Sequence, residues 1–317
     1  MTRFRRYAKM TRMGFFLTRG LFVCLPLLTL GAVAQDLEPR AYSASPVGVS
    51  FAIVGFARSS GDVTFDPSIP LTDVNATLYG PVVGLGQSFG ILGRQALFTA
   101  VLPYAWGDVT GAVGEQRGSV HRSGTADIKS KISLNLRGNP AQTPQEFLRR
   151  PHRSFIIGTS LTVTSPSGQY GNTKLINLGT NRWSFKPEIG LSWPVKKFDF
   201  DLYTGVWLYT ANASFYPGTA DRTQSPLTAI QGHVSYTVRR SLWVAFDGTW
   251  YAGGATRANG GSPTERQENT RIGATLSIPL ARQQSFKIAY SSGVSGTIGS
   301  KFNTISVGWQ YAWFNRH

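Results

Sequence analysis

Thr304-Ile-Ser-Val-Gly-Trp-Gln-Tyr-Ala-Trp-Phe314 decides how the rest of the sequence is read. Ile305, Val307, Trp309, Tyr311 and Trp313 are large and apolar, while Ser306, Gly308, Gln310 and Ala312 between them are small or polar. A period of two sets all the large side chains on one face, which is the pattern of a β-strand. A soluble sheet could turn such a face to a core. A strand whose greasy face ends in a crowd of Trp and Tyr fits a lipid-facing wall better, because those rings settle at the membrane–water interface.

The spacing Ser306-x-Gly308-x-x-Tyr311-x-Trp313 is similar to the C-terminal signal by which bacterial barrels are recognised for insertion, although four residues follow Trp313. Gly308, Tyr311 and Trp313 are therefore the expected insertion residues. Barrel assembly machinery, outer-membrane lipid and lipopolysaccharide are the expected partners.

The other end of the sequence agrees with export. Arg3, Arg5, Arg6, Lys9, Arg12 and Arg19 precede an uncharged run from Gly20 to Leu30, and Ala32-Val33-Ala34 follows. A basic start, a short apolar core and small residues predict a signal peptide over residues 1–34, cut after Ala34. The apolar core is too short to span a bilayer as a helix. Cys24, the single cysteine, lies inside it. A mature chain without thiols suits passage through an oxidising compartment. Six of the 32 basic residues and none of the 16 acidic ones lie in the signal, which leaves a mature net charge of +10. The remaining bases are scattered and match no groove-reading or base-stacking motif, so nucleic acid is not an expected partner. A mean hydropathy of −0.11 excludes a helical membrane protein but is what alternating strands average to.

About twelve alternating segments follow an N-terminal periplasmic segment, residues 35–47, and fill residues 48–317. Ala126–Arg137 sets Ile128, Ile132, Leu134 and Leu136 against Asp127, Lys129, Lys131, Asn135 and Arg137. Trp183–Trp193 opposes Phe185, Ile189 and Leu191 to Ser184, Lys186, Glu188 and Ser192, and Phe198–Thr210 opposes Phe200, Leu202 and Val206 to Asp199, Asp201, Tyr203, Trp207 and Tyr209. The polar parity continues through His233, Trp243, Asp247, Tyr251, Arg271 and Lys287. In Val49, Phe51 and Ile53 the first strand shows its apolar residues. A bulge or parity slip is expected at Gly80-Pro81.

Loop lengths alternate, as the short periplasmic turns and long outer loops of such barrels require. Gly107–Thr125, Pro166–Arg182, Asn212–Pro226 and Ala252–Asn269 are long; Val195–Lys197 and Arg239–Ser241 are short. Thr143-Pro-Gln-Glu146 carries a capping-box pattern and predicts one short periplasmic helix over 143–150. The fold expected is all-β: an antiparallel up-and-down transmembrane β-barrel of about twelve strands with that helix.

Ala41-Tyr-Ser-Ala-Ser-Pro-Val-Gly48, Ser59-Ser-Gly-Asp62, Gln231-Gly-His233 and above all Lys174-Leu-Ile-Asn-Leu-Gly-Thr-Asn-Arg-Trp-Ser-Phe-Lys-Pro-Glu188 resemble the outer-membrane transporter family named after the meta-pathway of phenol degradation. The resemblance implies a channel or porin-like protein of the Gram-negative cell envelope, sometimes encoded near genes for the breakdown of aromatic compounds. It implies no catalytic residue and no cofactor.

The lumen-lining residues expected from parity are Lys129, Lys131, Arg137, Lys186, Glu188, Asp199, Asp201, Tyr203, Trp207, Tyr209, His233, Trp243, Asp247, Arg271 and Lys287. They could form a charged constriction with an aromatic passage for small solutes, or a salt-bridge ladder that fills a narrow barrel. A lipid hydrolase on the outer wall would need its histidine facing lipid; His233 has lumen parity, and no nucleophile elbow accompanies it. Asp62 and Asp66 offer only a bare acidic loop for calcium. Uptake of small solutes, with aromatic or hydrophobic compounds as candidates, is the expected function. A structural or adhesin-like barrel working through its outer loops is the alternative.

Overall fold

A computed structural model describes residues 37–314 except 65–71, 114, 150–153, 175, 217–219, 282 and 297–298. The signal sequence, its cleavage point and Asp66 lie outside these residues. In chain order the elements are β1 (Val49–Thr64), β2 (Thr72–Ile91), β3 (Arg94–Val113), β4 (Gln116–Thr125), β5 (Lys129–Arg137), α1 (Pro144–Arg149), β6 (Ile156–Thr164), β7 (Ser184–Val195) and β8 (Phe198–Tyr209). They continue with β9 (Asn212–Phe215), β10 (Ala220–Gln224), β11 (Leu227–Arg239), β12 (Leu242–Gly253), β13 (Thr256–Ala258), β14 (Gln267–Ala281), β15 (Gln284–Gly296) and β16 (Gly299–Phe314).

Every wall pairing is antiparallel, and two contacts close the ring. β1 pairs with β16 over its whole length, from Val49 against Phe314 to Thr64 against Gly299, and β2 pairs with both β1 and β3. Because β4 and β5 take successive stretches of the same edge of β3, they act as one interrupted strand. The wall is thus a closed antiparallel barrel of twelve strands. β9, β10 and β13 form a separate three-stranded sheet beyond it.

The distribution of side chains inverts that of a soluble protein. Val54, Leu85, Ile132, Ile189, Leu202, Phe246, Ile272 and Ile305 are exposed around the outside, while Ser133, Asn135, Ser160, Lys186, Glu188, Asp201 and Gln231 are buried inside. A continuous apolar outer surface is stable only against lipid. Two aromatic belts bound it. Trp309, Tyr311 and Trp313 stack in a row near the short turns, and Phe56, Tyr79, Tyr104 and Trp106 cluster towards the long loops.

Four local expectations change. Gly80-Pro81 causes no slip: Phe56 faces Pro81 and Ala57 faces Gly80 in an unbroken register, because proline removes a ladder donor without adding a residue. In β1 it is Val54 and Phe56 that are exposed, whereas the Phe51 ring lies where a side chain on Gly86 would point. Gly107–Thr125 is not an irregular loop but the upper part of the β3–β4 hairpin, in which Tyr104 faces Thr125 and Val113 faces Gln116. Arg137 stands beyond a register shift in β5 and is exposed, so it does not line the lumen. The helix forms as expected: the Thr143 amide donates to Glu146 Oε2 at 2.8 Å and Thr143 Oγ1 accepts from the Glu146 amide at 3.3 Å, the reciprocal bonds of a capping box.

Candidate functional site

The chain enters the wall at Gly48, whose φ of 76° turns it out of the lumen and whose amide donates to the Ser88 carbonyl at 2.9 Å. Residues 37–47 precede this point and run across the barrel. The Val47 amide donates to the Gln142 carbonyl at 2.8 Å, and Gln95 Nε2 donates to Ser45 Oγ at 2.6 Å, beside β2 and β3. Farther along, Arg40 reaches β8, β11 and β12. Its Nη2 donates to Asp199 Oδ2 at 2.6 Å and Thr237 Oγ1 at 2.7 Å, its Nε to Ser235 Oγ at 2.7 Å, and its guanidinium lies 4.9 Å from the centre of the Trp243 ring. The backbone joins in, with the Arg40 amide on Asp201 Oδ2 and the Ala41 amide on Tyr203 Oη, both at 3.1 Å.

Tyr42 occupies a notch that two glycines create. Gly158 of β6 and Gly190 of β7 face each other across the ladder. A Cβ on either would come within 2.1 or 2.2 Å of the Tyr42 ring, so only glycine leaves room there. The ring meets Tyr203 edge-on at 5.2 Å, and the hydroxyl lies 3.0 Å from both Glu188 Oε1 and Ser160 Oγ. Burial, and then the neighbouring Glu188 carboxylate, push the phenol well above its ordinary range.

Beyond this segment, towards the long loops, lies a chamber lined by Lys129, Lys131, Lys186, Glu188, Asp127 and Glu38 together with Ala41, Thr99, Val101, Pro103, Thr162, Tyr203 and Gln231. Lys186 pairs with Glu188 at 3.0 Å, and Lys131 stands 2.8 Å from Glu38 and 4.0 Å from Glu188. Lys131 above all, then Lys186 and Lys129, hold the Glu38 carboxyl down at about 2 against the opposing effect of burial. Lys129 and Lys186 also lie 5.7 and 5.3 Å from the centre of the Trp207 ring, within cation–π range.

Asp127 belongs to the ceiling. Its two oxygens accept from the Gly168 amide and from the Thr180 amide and hydroxyl, which ties down the loop between β6 and β7. Ile176 in that loop packs on one side against Val74, Ala76, Leu78, Val109 and Phe302 of the wall, and on the other against Phe215 and Ala220 of the outer sheet. The block from Lys174 to Glu188 thus supplies both this lid and the strand that carries Lys186 and Glu188. Behind the lid two arginines are buried. Arg182 donates to Gln224 Oε1 and lies 4.3 Å from the Tyr209 ring centre; Arg222 lies over Phe215. Burial lowers the Arg182 guanidinium, and burial together with Arg182 draws Arg222 down to about 9.

The residues expected from parity therefore serve different purposes. Lys129, Lys131, Lys186 and Glu188 gather at the chamber, whereas Asp199, Asp201, Tyr203 and Trp243 form the socket of Arg40 and Ala41. His233 and Asp247 are cross-strand partners with 2.7 Å between Nδ1 and Oδ1, fully buried, and Thr275 Oγ1 donates to the second Asp247 oxygen at 3.1 Å. That arrangement pins β11, β12 and β14 together. Arg271 donates to Ser291 Oγ at 3.0 Å, and Lys287 lies 5.7 Å from the Trp243 ring centre. Parity could not reveal that Glu38, Arg40 and Tyr42 enter the lumen. Gly158 and Gly190 share inward parity, but only the strand pairing brings them face to face and opens the gap that Tyr42 fills. Among the described residues no cluster of His, Cys, Asp and Glu could hold a metal ion.

Residues 72–311 match the protein family described as "Putative MetA-pathway of phenol degradation". An outer membrane channel from Pseudomonas putida F1 has a similar structure, with a TM-score of 0.73, 19% identity, and coverage of 88% of this chain and 100% of that one. The beta domain of the Bordetella autotransporter BrkA is similar with a TM-score of 0.53 and 12% identity, covering 84% of this chain and 100% of that one. At such identities the likeness is one of fold. Among curated protein sequences none matches significantly.

Proposed function

The chain belongs to the MetA-pathway phenol-degradation family, and from that premise we propose that it is an outer-membrane channel through which small solutes, aromatic or hydrophobic compounds among them, enter by passive diffusion. The observation that carries this reading is the chamber inside a twelve-stranded barrel, where ionised groups share the lining with Val101, Pro103 and Tyr203. A merely structural barrel has no need of such a space. Residues 37–47 below and the Ile176 loop above narrow the path that a solute must pass. Gly308, Tyr311 and Trp313 would present the strand to the barrel assembly machinery.

The test is reconstitution of residues 35–317 in planar bilayers, followed by uptake of phenols and aromatic acids into liposomes. Conductance steps that these solutes block, with uptake, support the channel. A folded barrel with neither, even after removal of residues 35–47, sinks it. That outcome would favour the alternative of a structural or adhesin-like barrel, for which the closure at both ends is the one supporting observation.

A further inference from the structure

Three ammonium groups, Lys129, Lys131 and Lys186, line the chamber, and two carboxylates face them without other duties to the loops, Glu38 and Glu188. Asp127 also lines it, but its oxygens are held by Gly168 and Thr180 of the ceiling. The two glutamates are held differently. Glu188 sits in a rigid strand, 2% exposed at its side chain, and contacts both Lys186 and the Tyr42 hydroxyl. Glu38 lies on the crossing segment between the buried Pro39 and Leu37, whose side chain lies beside Gly273 of β14, and its own side chain is 57% exposed. Of the two glutamates its carboxylate is therefore the one a solute can reach and displace from Lys131. Beside the lysines, Val101, the cross-strand partner of Lys129, offers apolar surface together with Pro103, Ala41 and Tyr203.

We propose that this chamber is a binding site for a small carboxylate with an apolar or aromatic body, which takes the place of the Glu38 carboxylate at Lys131 and lays its body against Val101, Pro103 and Tyr203. Glu38 then acts as an internal stand-in that offsets one charge of the cluster while the site is empty. A neutral phenol or alcohol cannot replace that charge, so the site discriminates by charge as well as by shape. The assignment rests on the channel reading for its place in uptake, yet it concerns binding and is measured apart from flux.

The experiment is calorimetric titration of the folded mature protein in detergent micelles at low salt, with benzoate and its neutral counterpart benzyl alcohol as probes. Heat-modifiable migration establishes that each variant is folded. Benzoate should bind with benzyl alcohol weaker by at least tenfold, and Glu38→Gln should tighten benzoate about fivefold, the scale of one partly solvated ion pair. Lys131→Gln and, independently, Lys129→Gln should weaken it. Equal binding of the two probes, or benzoate binding that Glu38→Gln leaves unchanged or weakens, overturns the proposal. Tighter binding in Glu38→Gln without flux in liposomes would uphold the site and refute the channel; flux with benzoate binding insensitive to Glu38 would do the reverse.

Discussion

The lumen is narrowed at two levels by two kinds of chemistry. Towards the short turns, residues 37–47 are held by an ion pair, by donors from Arg40 and Ala41, and by one ring in a glycine notch. Towards the long loops, Ile176 is wedged between two apolar clusters while Asp127 clamps the loop's amides. Polar anchoring is directional and weakens with salt, whereas apolar packing is neither. The lower closure is thus the one more open to solute charge, pH and ionic strength, while the Ile176 wedge in the upper one answers to side-chain volume beside the polar clamps of Asp127 and Arg122.

The largest effect is expected from filling the notch. Gly190→Ala or Gly158→Ala places a methyl where the Tyr42 ring lies, and neither glycine needs a left-handed backbone. Tyr42 must leave, at a cost of about 2 kcal/mol in lost burial. Protease cleavage within residues 37–47 and single-channel conductance should both rise severalfold while the barrel stays heat-modifiable. An unchanged cleavage pattern would mean that Tyr42 does not seat the segment.

Arg40→Ala comes next. It removes the contact with Asp199, side chains that are 16% and 20% exposed, and two further hydrogen bonds. The segment should lose about 2 kcal/mol of anchoring, read as faster hydrogen exchange at Ala41 and Tyr42. In the native protein, raising the salt should move exchange in the same direction. If Ile176→Ala were as salt-sensitive as this, the contrast between the two closures would collapse.

Ile176→Ala itself should cost about 1 kcal/mol. It should raise accessibility to a thiol reagent at a cysteine placed at Leu78, with no dependence on ionic strength.

The smallest effect concerns pH. Glu38 is held at about 2 instead of its ordinary 4.5. A depressed carboxyl stabilises the folded arrangement above its ordinary value, and that contribution fades as pH falls from 4.5 towards 2. Since Glu38 is more than half exposed, the change is modest. Exchange at Leu37 and Glu38 should be flat from pH 7 to 5 once corrected for intrinsic rates, and rise below 4.5. Glu38→Gln should abolish that dependence.

These closures mark the limit of what could be read from the residues in order. Parity assigned Lys186 and Glu188 to one face and Phe185 and Ile189 to the other, and that division is the one seen, because alternation is a property of the extended chain itself. Charge at the start, aromatics at the end and graded loops then made the apolar face a lipid face and the fold a closed barrel. The same reasoning failed at Arg137, where a bulge shifted the register, and at Gly107–Thr125, where glycines and polar residues built a hairpin above the membrane. The capping box of the short helix was legible because its bonds span three residues.

What no local pattern contains is which residues face one another around a closed ring. That Gly158 meets Gly190, that His233 meets Asp247, and that Lys129, Lys131 and Lys186 from two strands converge on Glu38 all follow from stagger between strands far apart in sequence. The sequence alone determined a wall of about twelve strands and the sign of each face; the count of twelve came from the pairing. Only the tertiary structure decided that the N-terminal segment fills that wall, because its anchors, Asp199, Ser235 and the Gly158–Gly190 notch, lie on strands that only ring closure brings around it.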